Sequence, residues 1–277
     1  MSQATVAVPV TRAGKHPRTR KGLPTWVLGL VGVLVFLGAW ELMPVVGIVQ
    51  AKYLPPASEV IVALVGDFGL TAFWVAVGDT LLAWAVGLAL ATVLALVLGM
   101  VIGTSAFLRR LTNSTIEFLR PIPSVALIPL AVLLYGVKIE SSLLLIVYAC
   151  FWQVLIQVLY GVADVDNVAM QTAKSYNFGP WQRVKGVVFP TVLPYLMTGI
   201  RLGAAVALIL AITAELIIGS PGLGREIALA QSGGAISGMY ALILATGLLG
   251  VLINLAMRAI ERRILGWHPS VRGEVAA

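Results

Sequence analysis

The chain has 277 residues, of which 59% are hydrophobic and 11% charged; 19 lysines and arginines against 12 acidic residues give a formal charge of +7, and the mean hydropathy is +0.97. This balance excludes a soluble protein folded round one core, because the apolar residues fall in blocks long enough to cross about 30 Å of hydrocarbon. It also argues against a nucleic-acid binder, since the basic residues are scattered between those blocks and form no aromatic-interleaved face.

In chain order, residues 1–25 form a polar, basic tail carrying Arg12, Lys15, Arg18, Arg20 and Lys21. The apolar run 26–49 is longer than the core of a cleavable signal and reads as an uncleaved first span. Further apolar stretches at 73–103, 118–137, 143–162, 193–218 and 239–260 bring the total to about six spans, an all-α polytopic membrane protein with its core in 73–260 and a short tail at 261–277. Pro121, Pro123 and Pro129 interrupt the third stretch and predict a bent or broken helix. Gly87, Ala91, Ala95 and Gly99 make a small-residue stripe suited to close helix packing. Glu41, beside Trp40, reads as structural, and Asp79 as a helix-start cap. Cys150 is the lone cysteine, inside an apolar run, and His16 and His268 sit at opposite ends, so no disulfide framework or zinc-type cluster is expected.

The basic residues also set an orientation. With the N-terminus inside, fifteen of them fall on the cytoplasmic side (the tail residues with Arg109, Arg110, Arg120, Lys174, Arg183, Lys185, Arg258, Arg262, Arg263 and Arg272) and only Lys52, Lys138 and Arg225 on the other, leaving Arg201 near a boundary. Both termini and the loop 163–192 are therefore expected in the cytoplasm.

That loop is the one long polar interruption. Asp166 can cap a helix starting at Asn167, with Ala169, Met170 and Ala173 giving it a small apolar face. Asn177 and Gly179 tolerate left-handed backbone and predict a break, Pro180 suits the first turn of a second helix, and Pro190 and Pro194 mark the return to the membrane. The bland alternative is an amphipathic connector anchored to anionic headgroups by Lys174, Arg183 and Lys185.

The loop resembles the EAA loop of permeases in ATP-binding-cassette importers: Gln171, Thr172 and Ala173 occupy the triplet, Asn177 the glycine position, and Phe189 with Pro190 the closing pair. YLPPASEV from Tyr53, RPIPSVALIPLAVLLYG from Arg120, LPYLMTGIRL from Leu193, AEL from Ala214 and GLG from Gly222 extend the likeness to the sulfonate, taurine and nitrate branch; Ala83 departs from it where arginine is common. The resemblance implies a type I importer permease in the plasma membrane. It would work by alternating access with a second permease chain (a homodimer), cytoplasmic ATPase subunits that receive the loop, and an extracytoplasmic solute-binding protein. No cofactor or metal would belong to the chain, which is expected to be non-catalytic: its Gly14-Lys15 pair is followed by His16, not by the Ser or Thr of a phosphate loop.

Arg201 and Glu215, in the fifth span, are separated by about 21 Å of rise and nearly four whole turns, so they share a face that would line a pathway. The other reading has Arg201 snorkelling to phosphates and Glu215 capping or pairing in the outer half. Two rival functions remain: an autonomous secondary transporter or channel, and a membrane enzyme using Asp164 and Asp166 as a metal-binding pair.

Overall fold

The computed structural model describes residues 25–267. The basic tail apart from Thr25, both histidines and Arg272 lie outside them, as do the expectations made there. The elements are α1 (Thr25–Val45), α2 (Ala57–Asp67), α3 (Thr71–Thr104), α4 (Ala106–Leu119), a 3₁₀ turn (Ser124–Leu127), α5 (Ile128–Tyr135), α6 (Ile139–Ala163), α7 (Asn167–Ser175), α8 (Pro180–Arg183), a π turn (Val184–Val188), α9 (Phe189–Ile218), α10 (Leu223–Ser232) and α11 (Ile236–Ile264). No strand occurs among the described residues. In hydrocarbon each backbone N–H must bond within its own segment, and long runs of Leu, Val, Ala and Ile do so as helices.

Five helices are long and apolar enough to cross a bilayer, and α4 with the segment Ser124–Tyr135, bent by 82°, makes a sixth if counted as one span. The predicted third span, 118–137, is thus not a straight helix. Pro121 and Pro123 lie in the gap after Leu119 and remove two backbone donors there, while Pro129 sits in the first turn of α5, where a missing donor costs nothing.

Packing shows why this return crossing is needed. A Cβ on Gly99 would press on Val158 and one on Gly103 on Val162, and Gly87 meets Ile146 in the same way. The partners' numbers rise together, so α3 and α6 run parallel, and the chain between them must travel back across. The small-residue stripe is buried along this seam, where Ala91 and Ala95 are fully covered, and backbones approach closely because no side chain intervenes. On its other flank α6 packs antiparallel to α9: Gly161 abuts Val192 and Tyr195, whereas Gly199 abuts Val154 and Gln157. Together α3, α6 and α9 hold the core, with Ala83, Ile146, Cys150, Ala207 and Ala211 in one cluster and Val154, Leu155, Val158 and Val192 in another.

At the end opposite the α6–α9 loop lie the short helices α2 and α10. Glu41 accepts hydrogen bonds from the Ser58 amide (2.9 Å) and hydroxyl (2.8 Å), capping the first turn of α2, so it is the structural residue expected. Asp79 corrects another expectation. It lies in the third turn of α3, not at its start, because Phe73 and Ala76 are buried with Val60, Leu64 and Leu223 and carry the helix back to Thr71. Its neighbour Thr80 does the bonding instead. The fully buried Thr80 hydroxyl donates to Glu215 Oε2 (2.9 Å) and accepts from the Leu223 amide (2.9 Å), while the Gly224 amide donates to the same carboxylate oxygen (2.9 Å). Helices α2, α4 and α10 are not among the elements expected from the sequence.

Candidate coupling site

The α6–α9 loop is ordered by its own side chains. Asp166 Oδ1 accepts from the Val168 amide (2.8 Å), so α7 begins where predicted. At its other end the Phe178 amide reaches the Ala173 carbonyl (2.9 Å) and the Asn177 amide the Lys174 carbonyl (2.9 Å). This is a Schellman closure, which needs a left-handed residue at Asn177. Asn177 has φ of 56° and is the one non-glycine residue with positive φ among the described residues. Gly179 then donates its amide to Gln182 Oε1 (2.8 Å) and Pro180 opens α8.

Beyond α8 the chain stays helical into the membrane, so the fifth span starts earlier than the expected residue 193. Pro190 would press its ring on the carbonyl four residues back, that of Gly186. The π turn at Val184–Val188 surrounds that position and widens the coil there.

The two faces of α7 differ. Val168 (70% exposed), Gln171, Thr172 and Ser175, at three- and four-residue spacing, point away from the protein, and Tyr176 and Trp181 (75% exposed) extend that surface. Asn167, Met170 and Lys174 form an adjoining flank and line a cleft of about 670 Å³ toward the ends of α3 and α6, with Arg109 and Arg183. Of the expected apolar face, Ala173 is 6% exposed and packed inward and Met170 is half-buried, but Ala169 is exposed. Of the triplet, then, only Gln171 and Thr172 are available to a partner.

The residues expected on a pathway are not brought together. Arg201 Nη1 pairs with Glu261 Oε2 at 3.3 Å, joining α9 to α11, and borders a groove of about 220 Å³ with Ala204, Leu208, Ile253 and Asn254. Glu215 is 0% exposed and belongs to the Thr80 network. The alternative metal pair is also accounted for, because Asp164 accepts from the Tyr195 hydroxyl (3.0 Å) while Asp166 caps α7. Sequence reasoning missed Thr80 and Tyr195; the polar Thr80 within an apolar span was the available signal for the first.

A family model described as a binding-protein-dependent transport system inner membrane component matches residues 91–266, from the middle of α3 to the end of α11 and just beyond. The chain belongs to this family. Over 248 residues it is 30% identical to the taurine transport system permease protein of Escherichia coli, covering 87% of this chain and 90% of that one. Over 285 residues it is 27% identical to a putative aliphatic sulfonates transport permease protein of Bacillus subtilis, covering 98% and 99%. In fold it is similar to an inward-facing structure of the MetNI methionine ABC transporter, with a TM-score of 0.59 at 18% identity over 67% of this chain and 93% of that chain. This permease is thus the multi-pass, non-catalytic membrane component of an ATP-binding-cassette importer, a system that also comprises ATPase and substrate-binding partners.

Proposed function

We propose that the permease imports a small sulfonate-type anion, driven by ATP hydrolysed on separate subunits that grip α7 from the cytoplasm. The exposed outer face of α7 and α8 carries the coupling reading: Val168 on the doubly capped α7 and Trp181 on α8 are large apolar side chains left open to solvent, as a surface built for a protein groove would be. Both termini lie in the cytoplasm with it, and a solute-binding protein docks at the opposite end, where α2 and α10 sit. Two copies of the chain form the pathway. Neither nucleotide nor any other cofactor binds the permease itself. Arg201, the cation beside the α9–α11 groove, lies along the route of the anion near the cytoplasmic mouth, whereas Glu215 holds the outer ends of α3, α9 and α10 together.

Exchanging Val168→Asp or Thr172→Arg tests the coupling. Either change should lower recovery of the ATPase subunits with the permease by about tenfold and abolish uptake, while the amount of permease in the membrane is unchanged. Normal transport by both would refute docking on this face. The cargo is read by presenting taurine, longer alkanesulfonates and nitrate in competition during uptake. Displacement by nitrate alone would overturn the sulfonate assignment.

A further inference from the structure

We propose that the cleft behind α7 is a binding site for a phosphate-type oxyanion, held by Arg109, Lys174 and Arg183. The three side chains come from α4, α7 and α8; Arg109 precedes the other two by more than sixty residues of chain, and only the fold gathers it with them round one cavity. Its lining includes no carboxylate. The one ion pair among the described residues joins Arg201 to Glu261, elsewhere on the protein, so none of the three is neutralised by an acidic side chain.

Two further observations point to an anion. The Nε of Arg183 is buried without a hydrogen-bond partner, and a buried donor with no acceptor is costly unless something supplies one. A guanidinium presents parallel N–H groups that match two oxygens of a phosphate. Arg109 is held in place as well: its Nη2 donates to the Gly103 carbonyl at the end of α3 (2.7 Å), which fixes the group at the rim and leaves other N–H groups to bind. Asn167 adds an amide to the lining.

The site lies on the flank of α7 beside the docking face, since Asn167, Met170 and Lys174 project roughly a third of a turn away from Val168, Gln171 and Thr172. A bound oxyanion would not cover that face. It would tie Lys174 and Arg183, which belong to the loop, to Arg109, which is fastened to α3, and so brace the loop against the spans. The phosphate has two possible sources, free in solution or in a lipid headgroup, because Gly103, Val162 and Val188 also line the cleft and bring it to the edge of the apolar zone.

The test measures hydrogen exchange across residues 167–188 in the purified full-length chain in nanodiscs. In phosphatidylcholine discs, inorganic phosphate replacing chloride at constant ionic strength should slow exchange there by roughly threefold or more if free phosphate is the ligand. In discs containing phosphatidylglycerol, the same slowing without added phosphate identifies the headgroup. Either protection should vanish in the K174Q/R183Q variant and persist in K185Q, whose side chain lies outside the cleft. If the double variant also loses protection in α6 and α9, K174Q alone, at an exposed position, replaces it and should weaken the effect. No slowing in either disc, or slowing that K174Q/R183Q retains, overturns the proposal.

Discussion

At the residue scale, the GLG turn after α9 shows how strongly a few atoms can constrain a sequence. A Cβ on Gly222 would collide with the Glu215 carboxyl group, and one on Gly224 with the Ile212 carbonyl and, at 2.7 Å, with Glu215 Cβ. Gly222 also has φ of 146°, which L side chains avoid. Gly224→Ala should therefore destabilise by about 1–3 kcal/mol, as overpacking against backbone does. Thr80→Val, nearly the same shape, should cost a similar ~1–3 kcal/mol by leaving the buried Leu223 amide without its acceptor. Thermal unfolding in detergent checks both, and Gly78→Ala, whose new Cβ meets nothing within 4 Å, is the control that should be neutral or better. Asn177 offers the opposite case. Asn177→Gly should retain the α7 closure, whereas Asn177→Val should lose about 1–2 kcal/mol of loop stability, because a β-branched residue resists φ of 56°. Hydrogen exchange at the Phe178 amide reports the difference.

At the element scale, the decisive contacts are helix seams. Gly99 packs with its would-be Cβ 2.6 Å from Val158 Cγ1, so Gly99→Leu must separate α3 from α6 and should cost about 1–3 kcal/mol or more, read as loss of folded protein after detergent extraction. The two faces of α7 predict a similar contrast. Ala173→Asp places a charge on the inward, buried side and should unseat the helix, raising exchange throughout 167–178; Val168→Asp, on the exposed side, should leave exchange unchanged while weakening attachment of the ATPase. An equal effect of both on exchange would show that α7 is not seated as described.

At the scale of the whole molecule, the parallel run of α3 and α6 imposes a return crossing, and the α6–α9 loop comes to the same end as Trp267, which shares a cavity with Asp164 and Tyr195. A Trp181→Cys label should therefore react with a membrane-impermeant maleimide in inverted vesicles and not in intact cells. Background is low because the native thiol, Cys150, is buried and donates to the Gly203 carbonyl (3.2 Å). Labelling from outside the cell would reverse the orientation and with it the coupling role of the loop.

Membrane spans, the proline break and the capping residues of α7 were legible from the sequence, because each depends on interactions within a few residues: hydrocarbon length, a missing N–H, an Asp or Asn beside a helix end. The helix-start role expected of Asp79 does not hold, since burial of Phe73 against residues distant in sequence carries α3 back to Thr71. Likewise the partnership of Thr80 with Glu215 and the inward turn of Ala173 follow from which helices become neighbours. The grouping of Arg109 with Lys174 and Arg183 has the same origin. Local chemistry determined what each segment is, and only long-range packing of parallel and antiparallel helices decided which side chains meet.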